Sequence, residues 1–158
     1  MAAARAGRVA ARGEPQLIAA LPSPGLFVAG YSLAGVRIGD TQAQVRRQLG
    51  SDYGVCRGCS TTTWYFTYRR FDDQGLAVEF SHRRVSAAYT LWEPPGWRGP
   101  RGLRLGALEG AVTSTVPGVV PIACSGYTAL VRERSAYLIV GGRLWGFGLF
   151  RKGASPCR

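Results

Sequence analysis

The feature that most constrains the fold is that the chain resembles itself. Gly35–Gly50 reads "GVRIGDTQAQVRRQLG" and Gly102–Gly118 reads "GLRLGALEGAVTSTVPG". Gly35, Arg37, Gly39 and Val45 recur as Gly102, Arg104, Gly106 and Val112, with Ile38 matched by Leu105 and Leu49 by Val116. Self-similarity at this spacing means one supersecondary unit used twice. Each segment reads as a short extended piece, a glycine turn and a helix of two to three turns. In the first, Asp40 or Thr41 offers an N-cap oxygen, Ala43, Val45 and Leu49 carry the apolar face, and Gly50 ends the helix.

After each helix the chain turns β in character. "TTTWYFTY" (61–68) is β-branched and aromatic, and "GLAVEF" alternates, with Leu76, Val78 and Phe80 on one face and Ala77 and Glu79 on the other. Ser81–Arg84 turns into "VSAAYTLW", where Val85, Ala87, Tyr89 and Leu91 are expected to share a face. The second copy supplies "GYTALVRE", "SAYLIV", a Gly141-Gly142 hairpin and "RLWGFGLF". The expectation is an α+β fold of two tandem units, each a helix plus a three-stranded antiparallel meander. They would join in one continuous sheet of about six strands with helices on one face. The boundaries read as an N-terminal arm over 1–26, a first repeat over 27–92, a Pro/Gly linker over 93–101, a second repeat over 102–151 and a tail over 152–158.

On these motifs the chain resembles BamE/SmpA-type small envelope lipoprotein domains, in a tandem form similar to the β-lactamase inhibitor protein fold. It is also similar to tandem-repeat proteins of high-G+C actinobacteria. The resemblance covers about 32–151 and implies a noncatalytic, partner-binding module of the bacterial envelope or extracellular space. It carries over no inhibitor contact residue, and no lipobox cysteine stands near the start.

Four cysteines, Cys56, Cys59, Cys124 and Cys157, bound the chemistry. Zinc wants two CxxC-like pairs or closely spaced histidines; here one CxxC stands alone and His82, the sole histidine, falls in a hairpin turn. Thioredoxin-type chemistry wants the CxxC at a helix N-terminus, whereas "GVCRGCS" comes after a helix and precedes a strand. Structural disulfides fit an even count in a small domain better. The expected pairs are Cys56–Cys59 and Cys124–Cys157. The stretch 151–157 can span about 23 Å when extended, enough to return one strand length. A Cys59–Cys124 link between the copies stays open.

No persuasive catalytic constellation is present. Asp72-Asp73 lacks EF-hand spacing and reads as turn chemistry, and the "GVRIG" glycines open no phosphate loop. Neither cofactor nor metal is expected. The start has a basic residue pattern like a leader, but Glu14, Pro15, Pro22 and Pro24 cut its apolar run, so the secreted or envelope location rests on the cysteines and the resemblance.

The strongest candidate surface is aromatic and basic. Trp64, Tyr65, Trp92, Trp97 and Trp145, with Arg69, Arg70, Arg132 and Arg143 (and Arg84 on the rim), are expected to form a protein-binding sheet face, since aromatics with arginine make interface hot spots. The competing reading of the rings is a second mini-core. In the last strand, Gly146 and Gly148 alternate with Trp145, Phe147 and Leu149, leaving one face bare for close approach. The net charge of +11 comes almost wholly from arginine, Lys152 being the only lysine among 20 basic residues. It permits a second function, binding an anionic polymer such as nucleic acid or acidic glycan. The arginines are scattered rather than massed, as codon usage in a G+C-rich genome also produces. A third reading is a thiol redox or metal protein built on the CxxC.

Overall fold

The structure, a computed structural model, describes residues 25–67, 75–91 and 96–158. Among these residues, ten strands and two short α-helices occur in the order β1 (Phe27–Val28), β2 (Ser32–Leu33), α1 (Gln42–Leu49), β3 (Gly54–Val55), β4 (Thr62–Thr67), β5 (Gly75–Ser81), β6 (Arg84–Leu91), α2 (Glu109–Thr115), β7 (Val120–Cys124), β8 (Tyr127–Arg132), β9 (Ser135–Val140) and β10 (Arg143–Phe150). One antiparallel sheet of eight strands runs β3-β4-β5-β6-β10-β9-β8-β7, and β1 pairs with β2 in a small ribbon beside it.

This overturns the α+β expectation of two tandem helix-plus-three-stranded-meander repeats. Among the described residues the fold is mostly β, 47% strand against 15% helix, on one eight-stranded sheet. The two additional strands are the outermost, β3 and β7. Neither has a clear sequence signature, because an edge strand need not alternate. In β7 every residue from Val120 to Ala123 is exposed, and Pro121, which cannot donate to a ladder, is tolerated only at an edge. In β3 just two residues pair, immediately before Cys56.

The main core lies between the helices and one face of the sheet. Trp64, Phe66, Leu76, Val78 and Phe80 of β4 and β5 meet Leu130, Tyr137, Ile139, Leu144, Phe147 and Leu149 of the other half. Helix α1 adds Val45 and Leu49, and α2 adds Val112. The start of α1 is fixed by a reciprocal capping box: Thr41 Oγ1 accepts from Gln44 N–H at 3.2 Å, and Gln44 Oε1 accepts from Thr41 N–H at 2.8 Å.

Two bulges decide which side chains reach the second face. Between the pairs Phe80↔Val85 and Glu79↔Ala87, Ser86 is an extra residue on β6. It turns Val85 into the main core and Ala87 to the other face, so Val85, Ala87, Tyr89 and Leu91 do not share a side as the alternation suggests. Between Leu144↔Ile139 and Gly146↔Leu138, Trp145 is the extra residue on β10. Nor does the glycine face of β10 stay bare: a Cβ on Gly146 would collide with Thr90 Oγ1, and one on Gly148 with the Phe150 ring.

The described part of the segment read as a linker, 96–101, packs into the fold. Phe27 N–H donates to Arg98 O at 2.7 Å and Arg98 N–H to Gly25 O at 3.1 Å, and Arg98 also bridges to Arg104. Residues 1–24, most of the expected arm, lie outside the described residues.

Candidate partner-binding face

The second face of the sheet carries a smaller cluster. Ala87, Ala129, Ala136, Leu138 and Phe150 are buried there, with Tyr89, Tyr127 and Trp145 packed against them. Small residues at the centre leave room, and the segment 151–158 occupies part of it. Arg151 N–H donates to Ser86 O at 2.8 Å, Tyr127 Oη donates to Pro156 O at 3.2 Å, and Cys157 is disulfide-bonded to Cys124 at the end of β7.

Arg158 anchors the end of this strap. Its Nε donates to Glu79 Oε1 at 2.6 Å, and the same oxygen accepts from Tyr89 Oη at 3.0 Å. The guanidinium also donates to Ser155 O and Cys157 O, and lies 4.9 Å from the Phe150 ring centre and 5.7 Å from that of Tyr89. The Glu79 carboxylate, only 10% exposed, is thereby held between a cation and a phenol. Burial, reinforced by the neighbouring Glu79 charge, pushes the Tyr89 hydroxyl well above the ordinary tyrosine range, so it remains a donor.

The strap divides the face. On one side is an apolar groove of about 470 Å³, lined among others by Tyr89, Leu91, Tyr127, Val140, Trp145 and Phe150. On the other is a more polar hollow of about 580 Å³ with Cys59, Thr61, Thr63, Tyr65 and Glu79 on its walls. Tyr89 and Arg158 belong to both.

The sequence-selected residues distribute unevenly over this geometry. Tyr65 lines the polar hollow and Trp145 the apolar groove. Trp64 is in the main core, 4% exposed and stacked on Tyr53 at 4.0 Å, with the Arg46 guanidinium 4.8 Å from its ring. Trp97 is 2% exposed and covers Gly25, where no Cβ would fit. Neither tryptophan reaches the second face. Arg132 donates to Pro117 O at 2.9 Å and Arg143 to Gly106 O at 3.0 Å, so both fasten loops to the sheet. Arg69, Arg70 and Trp92 lie outside the described residues, as do Tyr68, Asp72 and Asp73. His82 is exposed in the β5–β6 turn.

Cys56 and Cys59 form the second disulfide, in the turn from β3 to β4, and no described cysteine is free. Among the described residues, no group of three or more His, Cys, Asp or Glu side chains could hold a metal ion. No described helix is long and apolar enough to cross a membrane.

Sequence patterns alone do not single out Glu79, Tyr89, Tyr127, Phe150 and Arg158 as site residues. Alternation in β5 already places Glu79 opposite the core residues, and an acid on a sheet face asks for a partner. That the partner is Arg158 depends on the tail's path, which no local pattern encodes. No family model matches this chain, and neither a curated protein nor a solved structure matches it.

Proposed function

We propose that this protein is a noncatalytic binding module of the bacterial envelope or extracellular space, capturing a partner protein through the second face of its sheet. The partner contributes an apolar segment whose aromatic or branched side chain enters the groove beside Trp145. The observation that carries this reading is the groove itself: about 470 Å³, walled by four aromatic rings, and bounded by a strap that a disulfide holds in place. Concave sites of this size and polarity are where proteins take ligands, and rigid aromatic anchors dominate interface energies. Two disulfides favour an oxidising compartment, and the resemblance to BamE/SmpA-type domains points the same way. The net charge of +11 favours the second reading, an anionic polymer; against it, the arginines are scattered singly or in pairs along the sequence and form no dense basic tract.

The test is selection of displayed random peptides on the oxidised full chain, with Val140→Asp and Trp145→Ser as counter-targets. Val140 is 39% exposed at the groove, so its replacement alters the site without emptying the core. Apolar peptides that bind in high salt and lose at least tenfold on either variant are expected. Selection of acidic peptides whose affinity collapses with salt would move the function to anionic polymers. Binding to both variants as tight as to the parent would sink the groove.

A further inference from the structure

Tyr137, at the centre of β9, is fully buried on the helix side of the sheet, on the opposite face from the groove. Its ring is wedged edge-on between Phe27, 5.7 Å away, and Phe147, 6.1 Å away. Its hydroxyl has no hydrogen-bond partner. Buried tyrosine hydroxyls are ordinarily paired, and leaving one unpaired is destabilising. Such a group asks for something to complete it.

The surroundings indicate what that is. Tyr137 lines a cleft of about 460 Å³ near the end of α2, together with Arg101, Arg132, Glu133 and Ser135. Both guanidiniums are tethered: Arg101 donates to Thr115 O at 3.2 Å and Arg132 to Pro117 O at 2.9 Å. Each tether uses one N–H and leaves others of the guanidinium fork able to donate. The tethers hold two long, exposed side chains at one rim, which removes part of the entropy that ligand binding would otherwise cost. Ser135 Oγ already accepts from Gly30 N–H at 2.6 Å, which fixes the wall. Arg101 itself sits at φ 51°, ψ 32°, a left-handed conformation that side-chain-bearing residues rarely adopt. Burial pushes the Tyr137 phenol up to about 12, with the Arg132 charge pulling weakly the other way. At neutral pH the hydroxyl is therefore protonated and can only gain from an acceptor.

We infer that this cleft is a small-oxyanion site, in which Arg101 and Arg132 hold a carboxylate or phosphate group and the Tyr137 hydroxyl donates to it. Glu133 is the one acid lining the cleft, and it opposes binding, so it limits the site to ligands compact enough to stay on the arginine side.

The experiment is titration of the full, oxidised chain in an oxyanion-free buffer, followed by calorimetry and backbone NMR shifts. Inorganic phosphate and acetate are separate probes, and they distinguish the two sources of the group. Saturable binding of at least one probe is expected, with shifts centred on 101, 132 and 137. Tyr137→Phe should weaken it about tenfold while thermal stability holds or rises, because the unpaired hydroxyl is gone. Arg132→Gln should weaken it further, and Glu133→Gln should tighten it. Phosphate and acetate binding unchanged in Tyr137→Phe would overturn the assignment. So would shifts spread over arginines everywhere with no saturation. Arg101→Gln is the second variant should Arg132→Gln fail to fold.

Discussion

Replacing Cys124 and Cys157 together by serine should destabilise this protein far more than replacing Cys56 and Cys59. The two cross-links close loops of very different length, with sequence separations of 33 and 3 residues. In the chain-entropy treatment, restriction of the unfolded chain grows with the logarithm of loop length, giving about 3.7 kcal/mol for the longer loop and about 1.6 kcal/mol for the shorter at 25 °C. The contrast is sharpened by what each bridge holds. Cys56–Cys59 sits in an exposed turn. Loss of the Cys124–Cys157 bridge also loosens Arg158 from Glu79, and an ion pair this sheltered adds to the cost when its cation withdraws. Urea unfolding of the oxidised parent and the two double-serine variants measures both numbers, with tryptophan fluorescence as the probe. A loss for Cys56→Ser/Cys59→Ser equal to or larger than that for Cys124→Ser/Cys157→Ser would refute the reasoning, because the ordering rests on loop length and the anchored strap alone.

Alkaline stability should depend on Tyr137. Its folded pKa of about 12 lies above the ordinary 10.0, so the neutral phenol favours the fold below pH 10 and that contribution disappears as pH rises toward 12. Tyr137→Phe should lessen the fall in stability between pH 10 and 12 in urea melts, leaving the part due to Tyr89, whose hydroxyl is raised in the same direction; an unaltered slope would count against it. Thr41→Ala removes the capping oxygen of α1 and should cost about 1 kcal/mol, measured by the same melts, with Thr41→Ser recovering most of it. Gly148→Ala drives a methyl into the Phe150 ring and should cost about 1–3 kcal/mol. Because Phe150 stacks on Tyr89 at 6.2 Å, the same variant should shift the Tyr89 ring resonances in NMR.

Patterns that depend on near neighbours are readable from the sequence, and those that depend on distant ones are not. The alternation of Leu76, Val78 and Phe80 describes β5 as it stands, and Thr41 and Gly50 bound α1 where the cap chemistry puts them. The bridges Cys56–Cys59 and Cys124–Cys157 are those favoured from spacing and reach. Periodicity fails at Ser86 and Trp145, because a bulge inverts every side chain beyond it and leaves no compositional mark. Aromatic content misleads about Trp64 and Trp97: a ring is equally at home in a core and at an interface, and only the path of 25–27 beside 97–98 buries Trp97. The α+β reading fails because Pro121 and the short Gly54–Val55 pairing carry no strand signature, although together they widen the sheet to eight strands.

Among the neighbour pairings of the large sheet, every one but β6–β10 joins strands that are consecutive in the chain. That seam, at Gly148↔Tyr89, Leu149↔Ala88 and Phe150↔Ala87, is also short. Its consequence is kinetic. Hairpins between consecutive strands form within microseconds, but the central seam must wait until a long intervening loop has closed, which is entropically slow. Docking of β10 on β6 is therefore the expected rate-limiting event of folding, and the amides that bond across this seam should gain exchange protection after those that bond within the β5–β6 and β9–β10 hairpins.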